Sequence, residues 1–97
     1  MRVNIGTVRA FPGVLPDKAQ AMKVLEEAAE VFGAWQYREL SAEHGMTTKW
    51  ADDDIAAELA DCVTACANLA AALGVYDLAR AVKEAEVRNE ERGRYAE

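Results

Sequence analysis

Between Pro16 and Leu40 the apolar residues Met22, Leu25, Ala29 and Phe32 recur at the three- and four-residue spacing that lines one face of a helix. Asp17 carries a side chain suited to capping such a helix, so a first helix is expected from Asp17 to about Leu40. A second run, Ile55, Leu59, Cys62, Cys66, Leu69 and Leu73, keeps a +4, +3 rhythm suited to packing along a partner helix. The acidic "ADDD" favours a helix start near Asp53, and Gly74 favours its stop after Leu73. A third helix is expected from about Asp77 to Glu91, with Leu78, Val82 and Ala85 on one face and Asn89 next in that series. Ser41 to Trp50, "SAEHGMTTKW", reads as a connecting loop. Ahead of the helices, Met1 to Leu15 alternates weakly through Val3, Ile5 and Thr7, then meets the turn chemistry of "FPGVLP"; an extended arm and a short edge strand both fit. The pattern predicts an N-terminal arm over residues 1–15 and one all-α domain over 16–97, an antiparallel helical bundle.

Composition changes this picture in one respect. The 97 residues should bury about 65% of their unfolded surface on folding. The chain is 52% hydrophobic, but much of that is alanine, as in "IAAELADCVTACANLAAAL", and each alanine methyl buries little area. Association through the helices, as a homodimer or homotetramer, is therefore expected. Cys62 and Cys66 have no matching second pair, which argues for buried free thiols over a zinc site or disulfide framework. No stretch approaches the ~18 uninterrupted apolar residues of a membrane span, and no secretory signal pattern opens the chain, so a cytoplasmic protein with no membrane partner is expected. The net charge of −6 argues against a nucleic-acid partner. An anionic ligand stays open, because a bound divalent metal reverses the local sign.

The candidate chemistry lies in acidic residues set into apolar helices. Glu27 and Glu30 are three apart on the first helix, and Glu58 and Asp61 share that spacing on the second. Residues three apart are neighbours on one helix face, and antiparallel packing can bring the two pairs together as four oxygen ligands. The second helix is apolar nearly all round, the mark of a buried helix, so its carboxylates should be partly desolvated and in need of a partner. Lys23, four before Glu27, is the less favourable orientation for a helix ion pair. A hard divalent cation is the natural partner, Mg²⁺ in particular, since it keeps waters and binds substrate phosphates. A solvated acidic face is the plainer alternative.

At this point "EEAAE", Glu26 to Glu30, followed by "ELAD", Glu58 to Asp61, resembles the EExxE…ExxD signature of the MazG-like all-α nucleoside triphosphate pyrophosphohydrolases. "RNEERGRY", Arg88 to Tyr95, is similar to the basic Asn…Arg-Gly tail that often closes these domains. The resemblance covers about Leu15 to Tyr95. It implies that Glu27, Glu30, Glu58 and Asp61 hold Mg²⁺, or Mn²⁺ in its place, and that Glu26 orients water behind them. Glu26 and Glu27 are then the catalytic carboxylates. It further implies a house-cleaning enzyme that hydrolyses a dNTP or modified NTP to the monophosphate and pyrophosphate, with water attacking the α-phosphorus.

Other side chains are candidates for the substrate. Asn89 continues an apolar stripe and should point inward, while Arg88, Arg92 and Arg94 offer fork donors for phosphate oxygens and Tyr95 a hydroxyl. Arginines near a helix C-terminus also complement its dipole without any ligand. Trp35 and Trp50 provide flat surfaces for a base, or else belong to the core. Asn68 extends the Glu58 and Asp61 face by two turns, and Lys23 is placed near the acidic pair. Lone His44 reads as solvated. Two alternatives stand beside the main reading: a phosphoribosyl-ATP pyrophosphohydrolase, by fold-level analogy, and a non-catalytic helical dimerisation module.

Overall fold

The computed structural model describes residues 1–96; the last residue of the expected domain, Glu97, lies outside the described residues. It is all-helical: α1 spans Lys18–Glu43, α2 Lys49–Ala72 and α3 Ala79–Glu91. The arm forms no strand among the described residues.

Asp17 caps α1 as expected, its side chain accepting the Gln20 N–H at 2.9 Å. Two boundaries move into the expected loop. Ser41 continues α1, its hydroxyl donating to the Tyr37 carbonyl one turn back at 3.0 Å. The stop falls at Gly45, whose φ of 69° only glycine adopts cheaply. Its N–H donates to the Ala42 carbonyl and that of Met46 to the Ser41 carbonyl, which satisfies the last orphan acceptors. α2 then begins at Lys49, so Trp50 stands on a helix and not in a loop. Gly74, at φ 76°, closes α2 by the same pair of bonds to Ala71 and Ala70.

α1 and α2 pack as an antiparallel hairpin, and neither packs on α3. Near the loop, Arg38 pairs with Asp52; midway, Glu27 meets Glu58 and Asp61. The residues of α1 covered by this packing are Gln20, Val24, Glu27, Val31, Ala34, Arg38 and Ser41, a strict +4, +3 series. From α2 the matching series includes Ala51, Glu58 and Ala65. The seam is therefore small and polar. The predicted large-residue stripe of α1 faces the other way: Leu25 is 65% exposed and Phe32 60%, with Met22 and Ala29 also open. On α2 the stripe straddles the seam's edge, so Ile55, Cys62 and Leu69 are half-buried while Leu59, Cys66 and Leu73 are exposed. Cys66 thus departs from the buried thiol expected, and both cysteines are free.

What this leaves uncovered is measurable. Among the described residues the buried apolar ones are Ala51 and Ala65, joined by polar Ser41 and Asn68. The surface of 7950 Å² exceeds the ~5,500 Å² of a compact monomer of 10.6 kDa by about 2,400 Å². The radius of gyration, 16.1 Å, likewise exceeds the ~12.5 Å of a compact chain of this length. The full antiparallel bundle expected from the sequence is replaced by a hairpin with a detached third helix. Within the chain α3 is tied by Arg2 of the arm, whose guanidinium lies 2.8 Å from the Glu86 carboxylate. α2 is the one described helix long and apolar enough to cross a membrane, yet Glu58 and Asp61 interrupt it, and each such residue is costly at a bilayer centre.

Candidate metal centre

Glu27 from α1 and Glu58 and Asp61 from α2 each present a carboxylate oxygen, and the three oxygens lie within 4.8 Å of one another. The seam register accounts for this: Glu27 occupies a covered position of α1, and Glu58 and Asp61 are one helical turn apart on the facing side of α2. Glu30, one turn along α1, is exposed but near enough for its charge to act on both glutamates.

The electrostatics are unfavourable as they stand. One oxygen of Glu27 and one of Glu58 are closed off from solvent and accept no hydrogen bond. No lysine or arginine among the described residues pairs with Glu27, Glu30, Glu58 or Asp61. Desolvation, then the charge of Glu30, raises the Glu27 carboxyl above the ordinary glutamate range. Glu58 is raised by desolvation first, then by its interaction with Glu30. The donor set fits a hard divalent ion: carboxylate oxygens from two helices, two of them orphaned in a protein interior where such atoms normally find partners.

The other sequence candidates divide into two groups. Lys23 and Asn68 line the cleft of about 460 Å³ that opens beside Glu27 and Asp61. Lys23 is engaged with Glu26 at 3.0 Å, which raises its ammonium pKa. Glu26 accordingly points to that lysine, outside the three-carboxylate cluster. Asn68 is 4% exposed, and its Oδ1 already accepts the Phe11 N–H at 2.8 Å. The tryptophans stand elsewhere, towards the hairpin loop. Trp35 is 44% exposed with the Arg38 guanidinium 5.2 Å from its ring centre, and Trp50 is largely open. Neither lines the cleft.

Arg88, Asn89, Arg92, Arg94 and Tyr95 lie on or just beyond α3 and are not brought to the carboxylates. Asn89 is half-buried, and its carbonyl accepts the Arg94 N–H as the chain turns at the end of α3. Sequence reasoning missed Phe11, Gln20 and Thr64 on the cleft wall. Gln20 lies on the face of α1 that hydrophobicity does not select, so the sequence carried no signal for it. Phe11 had none either, because the arm docks through a backbone N–H that no side-chain pattern encodes.

Compared with known proteins, the chain matches no family model, and neither a curated protein nor a solved structure is significantly similar to it.

Proposed function

We propose that this chain is a metal-dependent nucleoside triphosphate pyrophosphohydrolase of the MazG-like kind, with Mg²⁺ held by Glu27, Glu58 and Asp61 and with Glu30 beside them. The observation that carries the reading is the convergence of Glu27, Glu58 and Asp61, with one oxygen each of Glu27 and Glu58 closed off from solvent and unpartnered and no lysine or arginine paired with the three. When bound, the ion would offset the triphosphate's charge, polarise the phosphoryl oxygen and acidify the attacking water. The chain's own residues do the rest. A carboxylate beside the ion can accept the proton as water attacks the α-phosphorus, and Glu27, which lines the cleft, is placed for that role. The new P–O bond forms, the bond to the bridging oxygen breaks, and pyrophosphate leaves with that oxygen. Lys23, on the cleft wall, offers its ammonium to the phosphate chain.

The site belongs to an oligomer in this proposal. About 2,400 Å² of excess surface per chain amounts to roughly 5,000 Å² across a twofold pair, within the range of obligate homodimers. Such an assembly gives the outward stripe of Leu25 and Phe32 a partner, and a second copy is the means by which the basic tail of α3 can reach a phosphate site.

Pyrophosphate release from a panel of common and modified dNTPs and NTPs, with and without Mg²⁺ or Mn²⁺, tests the proposal; phosphoribosyl-ATP belongs on the panel. Metal-dependent release supports it, and silence across the panel from folded protein refutes it. The exposed stripe favours one further reading, a helical association module without catalysis. That reading predicts that Glu58→Gln and Asp61→Asn leave melting temperatures unchanged, with or without metal.

A further inference from the structure

We infer that Phe11, delivered by the N-terminal arm, is the surface on which the planar base of the ligand stacks, so that the arm sets the base preference of the cleft. This inference rests on the nucleotide reading of the site.

Exposure does not single Phe11 out, since Leu25 and Phe32 are equally open. Position does. The Phe11 N–H donates at 2.8 Å to Oδ1 of Asn68, which is 4% exposed, so the backbone is pinned to α2 while the side chain stays 62% exposed. Phe11 lines the same cleft as Lys23, Glu27 and Asp61, and it is held to α2 at Asn68. Asp61 and Asn68 are seven residues apart on α2, about 10 Å along its axis. That is about the reach from a nucleotide's phosphates to its base. A cleft with the carboxylates of Glu27 and Asp61 and an exposed phenylalanine about two turns of α2 away suits an amphipathic ligand of that length. Trp35 and Trp50 offer larger rings but lie towards the loop, outside the cleft. The arm is tied at a second point, Arg2 to Glu86 at 2.8 Å, which limits how far the segment carrying Phe11 can stray.

The test measures binding by calorimetry with Mg²⁺ present, for the full chain and for Phe11→Ala and Phe11→Trp. Three probes are used: a non-hydrolysable purine triphosphate analogue, its pyrimidine counterpart and inorganic tripolyphosphate, which has no base. Phe11→Ala should weaken the purine analogue by about tenfold or more, the size of one base–aromatic stack. The pyrimidine analogue should lose less, tripolyphosphate should bind as before, and Phe11→Trp should restore purine affinity. Unchanged purine binding by Phe11→Ala overturns the inference. An equal loss with tripolyphosphate also overturns it, because the arm would then act only by shaping the cleft. If the wild-type chain binds none of the three probes, the nucleotide reading falls and takes this inference with it; if it binds tripolyphosphate as tightly as the analogues, only the inference falls.

Discussion

Replacing Phe32 by alanine probes the outward stripe of α1 with little disturbance inside the chain. In the single chain Phe32 is 60% exposed and lies on the face opposite the α1–α2 seam. Fully burying a phenylalanine side chain contributes about 1.5–3 kcal/mol. With three-fifths of its surface still to be covered, an interface can gain about 1–2 kcal/mol from each copy, or about 2–4 kcal/mol per twofold pair. At ~1.4 kcal/mol per decade, Phe32→Ala should weaken dimerisation by roughly 30- to 700-fold. Alanine is also the better helix former, so a loss of association cannot be assigned to a weakened α1. Sedimentation equilibrium over a concentration series reads the dissociation constant directly, and Phe32→Leu, which keeps most of the apolar area, should fall much closer to wild type. A wild-type chain that is monomeric at micromolar concentration, or a Phe32→Ala variant with an unchanged dissociation constant, would refute the argument that a second copy covers this face.

The remaining expectations concern the seam and its charges. Glu58→Gln and Asp61→Asn should each raise the melting temperature of metal-free protein and remove the gain that Mg²⁺ confers; for wild type at 100-fold excess over Kd that gain should be about 10–20 °C by differential scanning calorimetry. Because the carboxyls of Glu27 and Glu58 are raised in the folded chain, their contribution to stability is present below the ordinary glutamate pKa of ~4.3 and is lost as pH rises through the raised values. Melting curves in chelator should therefore show wild type losing stability relative to Glu58→Gln as pH rises from ~4.3, and parallel curves would contradict the desolvated cluster. Asp52 has the opposite sign: Arg38 holds its carboxyl below the usual range, so that contribution is present above ~3.9 and is lost as pH falls through the lowered value. Arg38→Met should accordingly make acid unfolding begin at higher pH, followed by circular dichroism. Ala65→Leu, at a buried seam position with 5% exposure, should cost about 1–3 kcal/mol by overpacking, read as a fall of about 4–24 °C in melting temperature.

How much of this was legible beforehand depends on which signal carried it. The helices, the Asp17 cap and the Gly74 stop were readable, because they act through local backbone chemistry that any tertiary setting preserves, whereas the end of α1 before Gly45 and the start of α2 at Lys49 fell inside the expected loop. The neighbouring carboxylates on each helix follow from i, i+3 spacing, a property of one helix, but the expected group of four did not form: Glu27, Glu58 and Asp61 converge and Glu30 stands outside them. The orientation of α1 was not readable. Two +4, +3 series run along it, one through Met22, Leu25 and Phe32 and the other through Val24, Glu27, Val31 and Ala34. Hydrophobicity selects the first, whereas α2 packs on the second. The place of α3 was equally hidden, since Arg2 reaches Glu86 from 84 positions away.

The inverted seam joins the metal and the oligomer into one physical problem. A hairpin zipped by alanines, a serine and carboxylates gains little from burial, and the charges of Glu27, Glu30, Glu58 and Asp61 oppose it further. Small residues at Ala51 and Ala65 let the helices approach closely, and that closeness both desolvates the carboxylates and brings their oxygens within reach of one ion. Turning Leu25 and Phe32 inward would stabilise a lone chain but would fill the place where those oxygens meet. With the large side chains outside, the proposed association would supply the apolar burial that stabilises most domains and would leave the seam to the proposed chemistry. Mg²⁺ should therefore tighten the oligomer only through the folding of each hairpin, raising the melting temperature of Phe32→Ala by as much as that of wild type when both are held in the same oligomeric state.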